Sequence, residues 1–138
     1  MSRTAAKKRS DSDVETCRPR LVVVEDDEDF QFVLRQWLAP RFDLVLLPHG
    51  EELFDEIDGL RPDAVMLDLQ LPGPDGLRLC HRLRRHPRMA GVPILILTGR
   101  QDTDAFLGSI EVGASSFMLK PVTKDELRRR LKSLMEGV

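Results

Sequence analysis

The sequence predicts an α/β protein built on a mostly parallel sheet with helices on both faces. Short apolar runs alternate five times with stretches whose apolar residues recur at helical spacing, and turn residues separate the two kinds of stretch. Each apolar run has the length of a strand that is buried on both faces. Strict alternation of strand and helix is typical of parallel sheets that are covered on both sides.

The first strand is predicted at residues 21–24, where four β-branched or aliphatic residues follow one another. A run of acids comes next, and acids are favoured at the start of a helix by the helix dipole. Asp27 is the candidate cap of that first helix, whose apolar residues between positions 30 and 38 share one face. Pro40 stops it, because proline cannot continue a helix.

The second strand is predicted at residues 42–47 and the second helix at residues 51–57, with Gly59 as its end. The third strand is an apolar run that finishes at Asp68. A turn rich in Pro and Gly follows it, and the third helix is predicted from residue 75 or 76 to residue 85.

The fourth strand is predicted at residues 92–98 and the fourth helix at residues 102–112, closed by Gly113. The fifth strand is predicted at residues 115–119. Thr123 begins the last helix with Glu126 three residues later, which is the spacing of a capping box. The apolar stripe of the fourth helix consists of Phe106, Leu107 and Ile110.

Residues 1–18 are polar and charged without any periodicity, and we predict that they form a disordered tail. Residues 19–138 are predicted to form one domain, because no linker, repeat or leftover segment interrupts the alternation. A chain of 138 residues is long enough to bury a core of its own.

Composition excludes several classes of function. The chain has 21 Lys and Arg against 23 Asp and Glu, a net charge of -2, which argues against direct DNA binding. We expect no membrane association, because no apolar run approaches the ~18 residues of a membrane span, and no secretory signal is recognisable. Only two cysteines are present, Cys17 and Cys80, which suits a reducing cytoplasm.

Polar side chains follow four of the five predicted strands. They are Glu25 and Asp26 after the first, Asp68 after the third, Thr98 at the end of the fourth and Lys120 after the fifth. Parallel strands bring their carboxyl ends to one edge, where α/β sheets bind ligands. Three crowded acids raise one another's pKa unless a positive charge lies among them. Oxygen ligands select a hard cation, and an incomplete set with room for water suits Mg²⁺ better than Ca²⁺.

This combination suits the acceptance of a phosphoryl group. Carboxylates form aspartyl phosphates, and phosphoryl transfer needs alignment and charge neutralisation more than covalent help. Mg²⁺, the Lys120 ammonium and the Thr98 hydroxyl can supply that neutralisation, which leaves Asp68 as the nucleophile.

Four short segments, each at the end of its own strand, are similar to the receiver domain of two-component response regulators. The similarity covers residues 20–136, and the four segments in this order form a strong signal where any one alone is weak. The segments are Val-Val-Val-Glu25-Asp26-Asp27, Met-Leu-Asp68-Leu-Gln-Leu-Pro-Gly-Pro-Asp-Gly, Ile-Leu-Thr98-Gly and Phe117-Met-Leu-Lys120-Pro121. The resemblance implies a flavodoxin-like (βα)5 fold with a five-stranded parallel sheet in the order 2-1-3-4-5.

The resemblance also implies roles for individual residues. Asp68 would take a phosphoryl group from a sensor histidine kinase or a phosphotransfer protein. Glu25, Asp26, Asp68 and the backbone carbonyl of Gln70 would hold Mg²⁺. Thr98 and Lys120 would contact the phosphoryl oxygens, and the peptide between Lys120 and Pro121 would be cis, which costs little before proline.

A switch is implied as well. Thr98 would move toward the phosphoryl group and Phe117 would turn inward behind it, which alters the face of the fourth helix, fifth strand and fifth helix for a downstream effector. The chain departs from the common pattern because it has no Tyr, so Phe117 has no hydroxyl to offer a partner. The basic residues Arg128, Arg129, Arg130 and Lys132 form either a solvated helix face or, in a homodimer through the same face, the partners of Asp102, Asp104 and Glu111.

The favoured hypothesis is a cytoplasmic single-domain response regulator, a phosphoacceptor switch rather than an enzyme. Its own chemistry would be limited to self-phosphorylation from small donors and autodephosphorylation. Two alternatives stay open: a receiver-like interaction module that works without phosphorylation, and a receiver fragment of a larger regulator or hybrid kinase. A Mg²⁺-dependent phosphatase is disfavoured, because Gln70 stands where such enzymes need a second acid to protonate leaving groups.

Overall fold

Five strands and five helices alternate along residues 18–69, 76–99 and 103–136, the parts of the chain that the computed structural model describes, with backbone only at residues 103–105. The strands are β1 (Arg20–Val24), β2 (Asp43–Leu47), β3 (Ala64–Leu67), β4 (Ile94–Thr98) and β5 (Ser116–Leu119). The helices are α1 (Glu28–Leu38), α2 (Gly50–Leu60), α3 (Gly76–Arg85), α4 (Thr103–Glu111) and α5 (Lys124–Glu136).

The strands form one parallel sheet in the order β2-β1-β3-β4-β5, which confirms the predicted fold. Val24, the last residue of β1, lies beside Leu47 of β2 and Leu67 of β3, and Thr98 of β4 lies beside Leu119 of β5. The strands therefore finish at the same level, and the residues that follow them share one edge.

Strands β1 to β4 are buried on both faces of the sheet, which explains their long apolar runs, whereas the edge strand β5 is only partly buried. Val22 and Val24 of β1 belong to one hydrophobic cluster, whereas Leu21 and Val23 belong to the cluster on the other face. Successive strand residues point to opposite faces, so each strand contributes to both clusters. No helix in the described parts of the chain is both long enough and apolar enough to cross a bilayer.

Local signals set most helix ends as predicted. The Asp27 carboxylate accepts hydrogen bonds from the backbone of Asp29 and Phe30 and caps α1. The Thr123 hydroxyl accepts from the Glu126 N–H, and the Glu126 carboxylate accepts from Thr123, so the capping box is confirmed. The hydrogen bonds that the Thr123 N–H and hydroxyl make with the Glu126 carboxylate hold the pKa of that carboxyl below its ordinary value.

Three strands start one or two residues later than predicted, at Asp43, Ile94 and Ser116, and two helices differ from the prediction in other ways. Gly59 does not end α2, which continues to Leu60 and closes at Arg61 in a left-handed conformation with φ 47. The completely buried side chain of Leu60 makes the extra residue favourable. The apolar stripe of α4 stays about half exposed, at 47% for Phe106, 51% for Leu107 and 58% for Ile110, so it is not a core face.

Candidate functional site

The candidate site lies at the carboxyl edge of the sheet, where the strand ladder extends one residue past the strands. The Asp68 N–H donates to the Val24 carbonyl over 3.4 Å, and the Lys120 N–H donates to the Thr98 carbonyl over 2.8 Å. Glu25 directly follows Val24, which pairs with Leu67, the residue before Asp68. The backbone thereby brings three of the predicted site residues to neighbouring positions.

Their side chains meet through one ammonium group. Lys120 Nζ lies 2.9 Å from Asp68 Oδ2 and 3.1 Å from Glu25 Oε1. The two carboxylate side chains are only 6% and 4% exposed, whereas the lysine side chain is 25% exposed. Two buried negative charges therefore share one positive charge, and the three groups together keep a net charge of about −1.

Burial and crowding in the site change the pKa of Glu25. Burial raises the pKa of its carboxyl above the ordinary value, and the negative charge of Asp68 adds to the rise. A hydrogen bond from the Asp27 N–H and the nearby Lys120 ammonium act in the opposite direction without cancelling it. The pKa of Glu25 is therefore raised mainly because its carboxylate is buried, and the ammonium of Lys120 offsets only part of that cost.

Lys120 is held in its charged form. Burial alone would lower its pKa, but the hydrogen bond to Asp68 and the charges of Glu25 and Asp68 raise the pKa above its ordinary value. The Nζ atom also lies 4.4 Å from the centre of the Phe30 ring, a cation–π distance. The ammonium is thus fixed on one side by carboxylates and on the other by an aromatic face.

Sequence reasoning missed two residues that support this site. The helical spacing predicts Phe30 only as part of the apolar stripe of α1, and its contact with Lys120 joins distant parts of the chain, which no local pattern reveals. The Gln31 side-chain amide donates to the Glu25 backbone carbonyl over 2.5 Å. Both residues lie in the first turn of α1, so the capped start of that helix forms one wall of the site.

Of the four predicted Mg²⁺ ligands, Glu25 and Asp68 lie together beside Lys120. Asp26 is exposed, and Gln70 lies outside the described residues. Within the described residues, no three or more His, Cys, Asp or Glu side chains are grouped closely enough to hold a metal ion. The two buried carboxylates of Glu25 and Asp68 nevertheless offer hard oxygen donors in a pocket short of positive charge, a donor set that fits Mg²⁺.

The two predicted switch residues lie on neighbouring strands. Thr98, the last residue of β4, is completely buried beside the fifth strand. Phe117 of β5 is partly buried against the core, and its ring meets Phe106 of α4 edge to face with 5.6 Å between centroids. The Lys120-Pro121 peptide is cis. Phe117 thereby connects β5 to α4, while the switching roles of Thr98 and Phe117 stay predictions.

The start of α3 closes the site from behind. The Gly76 N–H donates to the Leu69 carbonyl over 3.3 Å. A Cβ atom at position 76 would lie 2.4 Å from the Asp68 carbonyl oxygen, so only glycine allows this approach. The backbone that carries Asp68 is therefore packed directly against a helix.

The sequence matches the response regulator receiver domain family over residues 21–132. A curated relative, the DNA-binding response regulator MtrA of Mycolicibacterium smegmatis, is 38% identical over 122 residues, 87% of this chain and 52% of that protein. The chain spans about half the length of the curated relatives it matches.

Solved structures give the same result. The BeF3-activated N-terminal receiver domain of Klebsiella pneumoniae RstA matches with TM-score 0.77 and 32% identity over 86% of this chain and 99% of that one. The receiver domain of sensor histidine kinase PA1611 from Pseudomonas aeruginosa, with a magnesium ion in its active-site cleft, matches with TM-score 0.81 and 24% identity over 88% and 100% of the two chains. Fold, family match and curated relatives agree: the chain belongs to the response regulator receiver domain family.

Proposed function

We propose that Asp68 accepts a phosphoryl group from a sensor histidine kinase or a phosphotransfer protein, and that the protein acts as a phosphoacceptor switch rather than a classical enzyme. The observation that carries the proposal is the ammonium of Lys120 between the buried carboxylates of Asp68 and Glu25. A phosphoryl group arriving at Asp68 brings further negative charge, and Lys120 is already positioned to receive it.

The transfer is a displacement at phosphorus. A carboxylate oxygen of Asp68 forms the new P–O bond while the P–N bond of a phosphohistidine breaks, and the imidazole nitrogen keeps the electron pair and takes a proton from water. Lys120 orients the carboxylate through the contact to Oδ2, and its ammonium moves no proton, because its raised pKa keeps it charged. Thr98, at the adjacent strand end, supplies a hydroxyl for the transferred group.

Glu25, Asp26, Asp68 and the backbone carbonyl of Gln70 are the proposed ligands of Mg²⁺. When bound, the ion neutralises charge on the phosphoryl oxygens. The relative from Pseudomonas aeruginosa holds magnesium in its active-site cleft, which supports this assignment. Asp26 directly follows Glu25 and is exposed, so its carboxylate is open to an ion that arrives from solvent.

Incubation with acetyl phosphate and Mg²⁺ tests the proposal directly. We expect intact-mass spectrometry to show one phosphoryl adduct in the parent and none in Asp68→Asn. Asp55→Asn is the matched control, since Asp55 is an exposed acid on α2, and it should keep the adduct. An adduct that persists in Asp68→Asn, or a parent that takes none, would refute the assignment.

The adduct measurement, together with assays of partner binding and phosphate-ester hydrolysis, separates the alternatives. A parent without adduct that still binds its partner would indicate an interaction module independent of phosphorylation. Steady hydrolysis of a generic phosphate ester would revive the phosphatase hypothesis. Some self-phosphorylation from small donors and slow loss of the adduct are expected of a receiver, and neither amounts to enzymatic turnover of a separate substrate.

For the whole protein, we propose a cytoplasmic single-domain regulator that controls an effector through its α4-β5-α5 face. A receiver within a larger regulator or hybrid kinase is the second candidate, favoured by the length of relatives such as MtrA, whose name describes DNA binding. The absence of direct DNA binding stays a prediction for this chain, based on its net charge of -2. The length of the native reading frame separates the two candidates.

A further inference from the structure

A cavity of about 500 Å³ lies at the opposite edge of the sheet from Asp68, where the strands begin. It is bordered by Pro19, which precedes β1, by Arg41 and Phe42, which precede β2, and by one side of α5. Phe42 is buried and Met135 of α5 is partly buried, so the cavity has an apolar floor. Its volume is in the range of pockets that bind ligands or short chain segments.

The rim of this cavity is basic. Arg128 is committed to the fold, because its Nε donates to the Trp37 carbonyl over 2.8 Å. Arg41, Arg129 and Lys132 are exposed. The lining holds four cations against two acids, Asp125 and Glu136, which leaves a net charge of about +2.

We propose that the occupant is residues 10–16 of this chain, which lie outside the described residues. This segment, Ser-Asp-Ser-Asp-Val-Glu-Thr, carries Asp11, Asp13 and Glu15 and no cation, so its charge of about −3 complements the basic rim. Val14 lies between two of the acids and matches the apolar floor. In the docked segment, the three acids pair with the cations of the rim, and the Val14 side chain contacts the apolar floor.

Chain connectivity makes this occupant more favourable than a free peptide. The described chain begins at Arg18, next to Pro19 on the cavity wall. Glu15 is four residues from Pro19 and Asp11 is eight, so they reach at most about 14 and 29 Å from it. A short tether gives an effective concentration in the millimolar range, so weak surface attraction is enough for binding. A docked segment covers the cations of α5, and any partner that uses them has to displace it.

Paramagnetic relaxation in the full chain tests the proposal. A nitroxide is attached at Ser12→Cys in a Cys17→Ser background, and the ¹⁵N amides of residues 125–136 are observed. We expect broadening near Arg129 and Lys132 that is lost in Asp11→Asn/Asp13→Asn/Glu15→Gln and in ~1 M NaCl, where charges are screened within a few Å. The matched control Lys7→Gln/Lys8→Gln/Arg9→Gln should keep the broadening, because it removes the cations of the same tail.

Exchanging the charges of the cavity rim and of the tail gives the converse test. Arg129→Glu/Lys132→Glu should abolish the broadening, and combining it with Asp13→Lys/Glu15→Lys should restore it. Equal broadening in the parent and the acid-neutralised tail would overturn the proposal. So would broadening that arises only between a spin-labelled copy and a separate ¹⁵N copy, which would make a second molecule the occupant.

Discussion

At the scale of single residues, the charge balance around Lys120 controls the site. Its ammonium contacts the buried carboxylates of both Glu25 and Asp68. A buried carboxylate that loses its partner keeps the full desolvation cost of its charge. Lys120 therefore stabilises the folded state in addition to its role in the proposed chemistry.

Lys120→Met removes that compensation and keeps most of the side-chain length. We expect the free energy of unfolding at pH 7 to fall by about 2 kcal/mol, less than the ~3–5 kcal/mol of a fully buried pair because the lysine is partly exposed. Urea unfolding measures the loss. Lys132→Met, which replaces an exposed lysine on α5, should change stability by less than ~0.5 kcal/mol, and equal losses in the two variants would contradict this account.

The second prediction at this scale concerns Cys80 and the free energy of unfolding at alkaline pH. Burial raises the pKa of its thiol from 9.0 to about 11, and its Sγ lies 3.6 Å from the Val112 carbonyl. The unfolded thiol ionises first, so the native state holds more protons between pH 9 and 11 and its stability falls as pH rises. The thiol should contribute a loss of about 1.4 kcal/mol at pH 10 relative to pH 7.

Cys80→Ala removes this contribution. Although the variant loses packing at every pH, its stability should decline less steeply than that of the parent between pH 9 and 11, as measured by urea unfolding at each pH. Cys17→Ala, which removes the thiol of the predicted tail, should keep the parent slope. Identical slopes in the parent and Cys80→Ala would show that the buried thiol does not carry the effect.

At the scale of elements, the junction of β3 and α3 fixes the position of Asp68. Gly76→Ala would place a Cβ atom 2.4 Å from the Asp68 carbonyl oxygen. Because this distance is too short, the backbone at Asp68 or at the start of α3 has to shift. We expect a loss of about 1–3 kcal/mol in stability. We also expect phosphorylation by acetyl phosphate to slow at least ~10-fold, since a shift of about 1 Å in a reacting group is costly.

Gly91→Ala is the matched control for this substitution, because a Cβ atom at position 91 would meet nothing within 4 Å. It makes the same change in chain composition and should leave both stability and the phosphorylation rate near those of the parent. Comparable effects of the two substitutions would mean that close approach at Gly76 does not position Asp68.

The elements also show which features a sequence can reveal. Strand order, the cap at Asp27 and the capping box at Thr123 depend on local chemistry or on a family pattern, and the structure confirms them. The predicted end of α2 was wrong because burial of Leu60 outweighs the preference of Gly59 for a helix terminus. Contacts such as that of Phe30 with Lys120 depend on how distant elements pack, and no local pattern encodes them.

At the scale of the whole molecule, α4 and β5 present an apolar surface that the core leaves uncovered. Phe106, Leu107 and Ile110 of α4 and Leu119 of β5 are each more than 40% exposed. Phe117 connects this surface to the sheet through its edge-to-face contact with Phe106. This exposed apolar patch includes Leu119, which directly precedes the site residue Lys120 in the chain, and such a patch suits an interface that forms on activation.

The predicted homodimer through α4, β5 and α5 can be tested at this surface. Phosphorylation by acetyl phosphate and Mg²⁺ should convert the parent from monomer to dimer in light scattering after size exclusion. Ile110→Lys should stay monomeric while still taking the phosphoryl adduct, because it places a charge in the apolar patch without touching Asp68. Phe32→Lys is the matched control: Phe32 is 64% exposed on α1, outside the patch, so its variant should dimerise like the parent. A parent mass unchanged by phosphorylation, or an Ile110→Lys variant that dimerises normally, would remove this face from the assembly and leave effector binding as its remaining role.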